Sequence, residues 1–275
     1  MDTPLNKTSL DTLCGAFAYA MGIEAPAHAA PANETLCRYI DEAFSGQKAD
    51  RIFMYNPDAI AQWIYEKYPD FLKEVTALTD LQLPLRSVMP SVTPVCFGTM
   101  YTGAQPEVHG IRKYEKPVIS IDTIFDALLR AGKKPVIIAY GNCSLSKIFL
   151  ERNMDYYILG SVAEVNAKAA QLILEDKHDF YVVYNGNYDS VMHKKAPESS
   201  HSLGELRINS HAYAMFDYLI STHWNNHRTL MGFAMDHGCH PTPDGKGTHG
   251  EDIDEDMNIL HHYQIFPERG QRHEK

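Results

Sequence analysis

Apolar residues in this chain fall into short continuous runs separated by stretches in which they recur at helical spacing. Arg51-Ile-Phe-Met-Tyr55, Pro135-Val-Ile-Ile-Ala-Tyr140, Tyr156–Leu159, Phe180-Tyr-Val-Val-Tyr184 and Thr229–Met235 are runs of strand length. Between them the periodicity is helical: residues 1–50 around a loop at Glu24–Asn33, the segment reaching Tyr68, Ile121–Ala131, Leu145–Arg152, Val162–Asp176 and Leu203–Trp224. Strands alternating with helices predict an α/β three-layer sandwich, a largely parallel central sheet with helices on both faces. No repeat or low-complexity segment divides the chain. Residues 1–275 therefore read as one compact domain, with 1–50 a helical extension packed outside the sheet.

In an open parallel sheet, ligands gather where the strands end. Three carboxylates follow strand ends: Asp58 after the run ending at Tyr55, Asp189 after Tyr184, and Asp236 after Met235. Two of them come with imidazoles. Asp189-Ser-Val-Met-His193 puts a carboxylate and a histidine one helical turn apart. Asp236-His237-Gly238 joins the pair directly, and Gly247-Thr248-His249-Gly250 adds a third histidine in a loop.

A further segment, Pro90 to Ile111, carries the candidate nucleophile. Thr93-Pro94 reads as a helix start, with Thr93 as the capping residue, Val95, Phe97 and Met100 facing inward, and Thr102-Gly103 as the stop. A hydroxyl at a helix N-terminus sits where backbone N–H groups and the helix dipole favour an anion. Pro106-Glu107-Val108-His109-Gly110-Ile111 follows.

Composition narrows the partners. A formal net charge of −10 disfavours a nucleic-acid polymer and makes a small anionic substrate depend on bound cations. The five cysteines are odd in number and form no CxxC pair, so they read as reduced thiols in a cytoplasmic protein. Leu10–Ile23 lacks a preceding basic region and is interrupted by Asp11, which makes it an amphipathic helix rather than a signal. No run reaches membrane-spanning length, so no membrane partner is expected. Oligomeric state is not legible.

Thr93, Thr102-Gly103, and Pro106-Glu107-x-His109-Gly110-Ile111, followed by Asp189-x-x-x-His193, Asp236-His237-Gly238 and His249-Gly250, resemble the alkaline phosphatase superfamily. Within it they are most similar to the nucleotide pyrophosphatase/phosphodiesterase branch. The resemblance covers roughly Arg51 to the C-terminus. It implies that Asp189, His193 and His249 hold one divalent ion, while Asp58, Asp236, His237 and the Thr93 oxygen hold a second. Zn²⁺ suits such nitrogen and oxygen donors, with Mn²⁺ as the alternative. It further implies that Thr93 is the catalytic nucleophile, forming a phospho-enzyme in the hydrolysis of phosphoric esters, with phosphodiester and nucleotide pyrophosphate bonds favoured.

Three positions depart from the family pattern. Ala59 follows Asp58 where Gly is usual, Cys96 stands where Asn is frequent, and Tyr114 occupies the position of a phosphate-contacting Asn, beside Arg112 and Lys113. Tyr114, Arg112 and Lys113 are thus the candidate substrate contacts. Cys96 reads as packing, and a sulfatase would need its cysteine at position 93. The other readings are a phosphomonoesterase on the same site, a phosphomutase-like Mn enzyme, which would want a cap insertion not found here, and a non-catalytic metal- or nucleotide-binding relative. His178, His201, His211, His223, His227, His261 and His262 read as structural or solvated, with His240 as the alternative ligand. Glu251–Asp256 reads as a solvated helix start.

Overall fold

The computed structural model describes residues 4–268. Its strands are β1 (Arg51–Pro57), β2 (Leu81–Arg86), β3 (Pro135–Tyr140), β4 (Asp155–Leu159), β5 (Phe180–Asn185), β6 (Thr229–Phe233), β7 (His240–Pro241), β8 (Gly247–Thr248) and β9 (Asn258–Phe266). Seven of them build one sheet in the order β2-β9-β6-β1-β5-β3-β4, while β7 and β8 pair as a separate hairpin. The strands from β6 to β4 run parallel; β9 is antiparallel to both β6 and β2. With helices on both faces, this is the three-layer α/β architecture that the strand–helix alternation implied.

Two strands escaped the periodicity for opposite reasons. β2 alternates Leu81, Leu83 and Leu85 with Gln82, Pro84 and Arg86, and Pro84 argues against a central strand. At the sheet edge a missing donor is tolerated. In β9 the apolar run is broken by His261, His262 and Gln264, yet all three are buried. His261 donates through Nε2 to the Met235 carbonyl at 2.6 Å, and Gln264 donates to the sulfur of Met231 in β6 at 3.4 Å. Burial lowers the pKa of His261 to about 3, so it packs as a neutral ring.

Several helix ends shift from expectation. Leu145–Arg152 forms only the turn Leu145–Ile148. The long helix begins earlier, at Ser200, where the Ser199 side chain accepts the Ser202 N–H. The helix Ile124–Arg130 starts at a reciprocal capping box between Thr123 and Asp126.

Both helices of the N-terminal segment contribute to the core. Helix Thr12–Met21 has eight buried residues, so it lacks the solvated face of an amphipathic surface helix. Phe17 lies 6.3 Å from Tyr101 and 6.0 Å from Phe180, which wedges this helix between the sheet and the helix carrying Thr93. Helix Glu34–Phe44 lies against it and turns its charged side outward. At Gly103 the fit is close. Its φ is 70°, and a Cβ there would stand 2.8 Å from the Cα of Ala29. Among the described residues no helix is long and apolar enough to cross a membrane, and the five cysteines are free.

This packing predicts that Phe17→Ala destabilises the protein by about 3–5 kcal/mol in denaturant unfolding, the cost of deleting a core aromatic. A loss below about 1 kcal/mol would make the N-terminal segment peripheral.

Candidate active site

The carboxyl ends of β1, β5 and β6 lie side by side, and each delivers one acidic residue to the same edge. Asp58 follows β1, where its N–H continues the pairing with β5 by donating to the Asn185 carbonyl at 2.9 Å. The chain then turns sharply at Ala59, with φ 62°. This left-handed conformation is the one glycine adopts freely, and alanine holds it here at a cost of roughly 1 kcal/mol. The Ala59 N–H donates to Asp236 Oδ1 at 3.3 Å, so the turn joins two acidic loops. Asn56 ties the same edge together, donating to the Ala234 carbonyl at 2.7 Å and accepting from the Tyr101 hydroxyl at 2.7 Å.

Tyr101 lies on the helix Thr93–Thr102. Val92, in extended conformation, is the residue that caps this helix, and Thr93 is its first helical residue. The Thr93 side chain caps nothing because it is engaged elsewhere: Oγ1 donates to Asp58 Oδ2 at 3.3 Å and lies 3.4 Å from His237 Nε2. Behind it, His109 is buried and bonded through Nε2 to Thr99 Oγ1 at 3.1 Å, while its Nδ1 accepts the Ile111 N–H. A Cβ on Gly98 would come within 2.9 Å of the His109 ring. The Pro-Glu-x-His-Gly segment therefore braces the helix instead of entering the chemistry. Cys96 is buried against Ser87, whose hydroxyl donates to the Asp236 carbonyl at 2.7 Å. This is the packing role expected of it.

Six of the candidate ligands form two groups. Asp58, Asp236 and His237 are buried together; Asp189, His193 and His249 form the second, half-buried group. In the first, His237 Nε2 lies 3.4 Å from Asp58 Oδ1 and 3.3 Å from Asp236 Oδ2. In the second, His193 Nε2 and His249 Nε2 lie 3.1 and 3.3 Å from Asp189 Oδ1. The rings of His237 and His249 stack with centroids 4.1 Å apart, which makes the groups neighbours.

The hydrogen-bond pattern decides what belongs between these groups. Each histidine has its Nδ1 on a backbone carbonyl: His237 on Gly238 at 2.9 Å, His193 on Gly247 at 3.0 Å, His249 on Ser91 at 2.8 Å. A carbonyl only accepts, so in the neutral ring the proton sits on Nδ1 and a bare lone pair remains on Nε2. Those lone pairs face carboxylate oxygens, and the Nε2 atoms of His193 and His249 face each other at 3.1 Å. Asp58 Oδ1, Asp189 Oδ1 and Asp236 Oδ2 are buried without a hydrogen-bond partner. Acceptors converge on acceptors, an arrangement that only a cation satisfies. The donor set of three imidazole nitrogens and three carboxylates fits divalent transition ions.

Where no metal binds, protons must do this work, and the ionisation of the groups follows. Burial, then the charge of Asp189, pushes Asp58 up to about 7. Burial and then Asp58 raise Asp236 well above the carboxylate range. Burial followed by the charge of His249 drives His237 well below the usual range, keeping it neutral. For Asp189, burial favours the neutral acid, but the hydrogen bonds that His193 and His249 donate once protonated at Nε2 outweigh it and hold the carboxyl low. His193 rises through its bond to Asp189.

Tyr184, at the end of β5, was not singled out from sequence. Its hydroxyl donates to Asp58 Oδ2, and its ring lies 5.4 Å from that of Tyr140 at the end of β3. Position at a strand end was the one available signal. His240, kept as a possible ligand, instead donates through Nδ1 to Asp256 at 2.8 Å. Glu251 and Asp252 are exposed as expected, but the stretch ends on a fully buried Asp256, and the helical turn spans Asp254–Met257. Tyr114, Arg112 and Lys113 lie outside the two groups, on the loop beyond Gly110. Tyr114 is 62% exposed with Lys116 5.0 Å over its ring, Arg112 donates to the Glu107 carbonyl, and Lys113 pairs with Glu115.

No family profile matches the chain, and no curated protein matches it by sequence. Solved structures do. Phosphonoacetate hydrolase from Sinorhizobium meliloti 1021, in complex with phosphonoformate, is similar over 74% of this chain and 61% of its own, with TM-score 0.53 and 18% identity. Human ectonucleotide pyrophosphatase/phosphodiesterase 5 is similar over 70% of this chain and 58% of its own, with TM-score 0.54 and 16% identity. An inactive form of the murine protein in complex with AMP is similar over 70% and 59%, with TM-score 0.51 and 16% identity. The chain thus spans about three fifths of the length of the structures it matches. The likeness is one of fold, and it is the alkaline phosphatase-like fold that the motif resemblance implied.

Two outcomes test the donor geometry. His193→Ala and Asp236→Ala should each lower bound Zn²⁺ by about one equivalent, measured by metal analysis of the purified protein. The second outcome concerns pH. A folded-state pKa of about 7 for Asp58 lies above that of the unfolded chain, so its contribution to stability is complete at low pH and lost as pH rises through 7. Bound metal replaces the proton and offsets that loss. The Tm gain from added Zn²⁺ should therefore be small near about pH 5.5 and grow toward about pH 8. A gain independent of pH would contradict this account.

Proposed function

We propose that this protein is a metal-dependent hydrolase of phosphoric esters, in which Thr93 is the nucleophile beside a site for two divalent ions. The observation that carries the reading is the convergence of three unpartnered carboxylate oxygens and three Nε2 lone pairs in two adjoining groups, the first of them in contact with a buried threonine hydroxyl. The similar solved structures, a phosphonoacetate hydrolase and a nucleotide pyrophosphatase/phosphodiesterase, support it.

Asp58, Asp236 and His237, with the Thr93 oxygen, would hold one ion; Asp189, His193 and His249 would hold the other. Zn²⁺ fits these donors, with Mn²⁺ the alternative. Such ions supply Lewis acidity and lower the pKa of a bound hydroxyl or water. The chain's own part is orientation. Asp58 accepts the Thr93 proton, and the first turn of the helix aims Oγ1 at the open edge of the sheet. The Thr93 Oγ–P bond forms as the bond from phosphorus to the leaving oxygen breaks, giving a phosphoester of Thr93 that keeps any second ester group of the substrate. The leaving oxygen departs as an alcohol or a phosphate with the proton that Asp58 took from Thr93. Water then attacks phosphorus from the vacated side, and the Thr93 oxygen leaves, taking by way of Asp58 the proton that the water gives up. Two displacements retain configuration at phosphorus.

Tyr114, Arg112 and Lys113 take the leaving-group end of the substrate in this reading. Lys113 is paired with Glu115 and Arg112 is tied to the Glu107 carbonyl, so this reading does not assign them the extra charge of a phosphomonoester dianion. Diesters and nucleotide pyrophosphate bonds are favoured accordingly. The location proposed for the protein is the cytoplasm.

Thr93→Ala should abolish turnover, by about 10³-fold or more, with metal content and Tm near those of the wild type. Thr93→Ser should retain measurable activity because the hydroxyl survives. Activity of the alanine variant within a few-fold of wild type would remove the covalent step. Separately, kcat/KM should be greater on bis-p-nitrophenyl phosphate than on p-nitrophenyl phosphate; a tenfold preference for the monoester would reverse the ester assignment.

A further inference from the structure

The two ligand groups reach the site on different loops, and the late acidic turn touches both. Asp256 is fully buried at the base of that turn. Its Oδ1 accepts the Nδ1–H of His240 at 2.8 Å, and its Oδ2 accepts the N–H of Glu251 at 2.9 Å. Its own carbonyl accepts the N–H of Gly238 at 2.7 Å. Gly238 directly follows His237, so this last bond anchors the loop of the first group. Glu251 lies just beyond His249, and His240 pairs across the β7–β8 hairpin with Thr248, so the two side-chain bonds anchor the loop of the second.

The contacts leave little slack. A Cβ on Gly238 would stand 2.0 Å from the Glu255 carbonyl oxygen, so the turn packs directly on the backbone after His237. A Cβ on Gly247 would stand 2.5 Å from Met192 Sδ, so the hairpin is seated as closely on the helix of His193. Both partners of the Asp256 side chain are donors, and both carboxylate oxygens accept. An amide at this position has a single acceptor and would turn its NH₂ toward one of them.

We infer that Asp256 is a positioning residue, with His240 its partner, that fixes the distance between the two metal-binding groups by holding the His237 and His249 loops to one carboxylate and one carbonyl. The inference rests on the two-ion reading above. Neither residue touches a ligand atom of the site. Their effect passes through the backbone on either side of the stacked rings of His237 and His249. Residues that orient ligands in this way typically govern affinity by 10–100-fold without being ligands.

The test is a Zn²⁺ titration against a chromophoric chelator, with Tm of the metal-free protein recorded in parallel. Asp256→Asn should still bind two equivalents, but about 10–100-fold more weakly, and should lower kcat with KM little changed. His240→Phe keeps the ring volume and removes the donor, so it should move zinc affinity in the same direction by a smaller factor. It also serves as the test if Asp256→Asn does not fold. A residue that serves stability alone would lower Tm and leave the zinc affinity of the folded protein unchanged. Wild-type protein that binds two ions, with folded variants within about threefold of its affinity, overturns the positioning role and leaves the two-ion reading standing. Wild-type protein that binds neither Zn²⁺ nor Mn²⁺ overturns both.

Discussion

Like charge brought together out of water is the constraint on which this structure turns. Asp58 and Asp236 are buried in contact with one imidazole, and a half-buried group of one carboxylate and two imidazoles adjoins them. In their neutral form the three histidines have committed their protons to backbone carbonyls, so relief needs a bound cation or an added proton. An arrangement that is unfavourable by itself persists only where the rest of the fold over-determines it. Here that surplus comes from the sheet: three adjacent parallel strands, registered residue by residue, end at one edge and must deliver their next residues there.

Around that edge the supporting residues work mainly through backbone atoms. Asn56 bonds to a carbonyl of the β6 loop and to the hydroxyl of Tyr101 on the Thr93 helix, so sheet and helix cannot drift apart. Ser87 and His261 hold the carbonyls of Asp236 and Met235, approaching the same loop from two elements. Helix Thr12–Met21 closes the layer behind Tyr101. The site is thus stiff because its scaffolding side chains are satisfied, whereas its ligand atoms are not.

Much of this was legible in the order of residues. The parallel strands β1, β3, β5 and β6 show as apolar runs, since strands covered on both faces have no polar alternation to hide them, and the edge strand β4 shows through its aromatic and β-branched residues. Asp58, Asp189 and Asp236 were placed by the strands before them, and their histidines by spacing and by resemblance. What stayed hidden depended on long-range packing. β2 and β9 carry proline and histidine that read as loop until their neighbours cover them. The end of the chain looked acidic and solvated because a buried Asp256 is distinguishable from a surface one only through its partners, His240 and the Glu251 N–H. Tyr184 likewise has no signature apart from the carboxylate it meets.

Ala59 carries a lesson about inheritance. Its backbone adopts the left-handed turn that glycine would adopt, one residue past the first carboxylate, and the methyl group is accommodated in the core. What the site needs at that position is a direction for the chain, which lets its N–H reach Asp236. Glycine is the easiest way to obtain it and not the only one. A signature written in letters, with glycine required after the first aspartate, would pass over this chain. One written in torsion angles would recognise it at once.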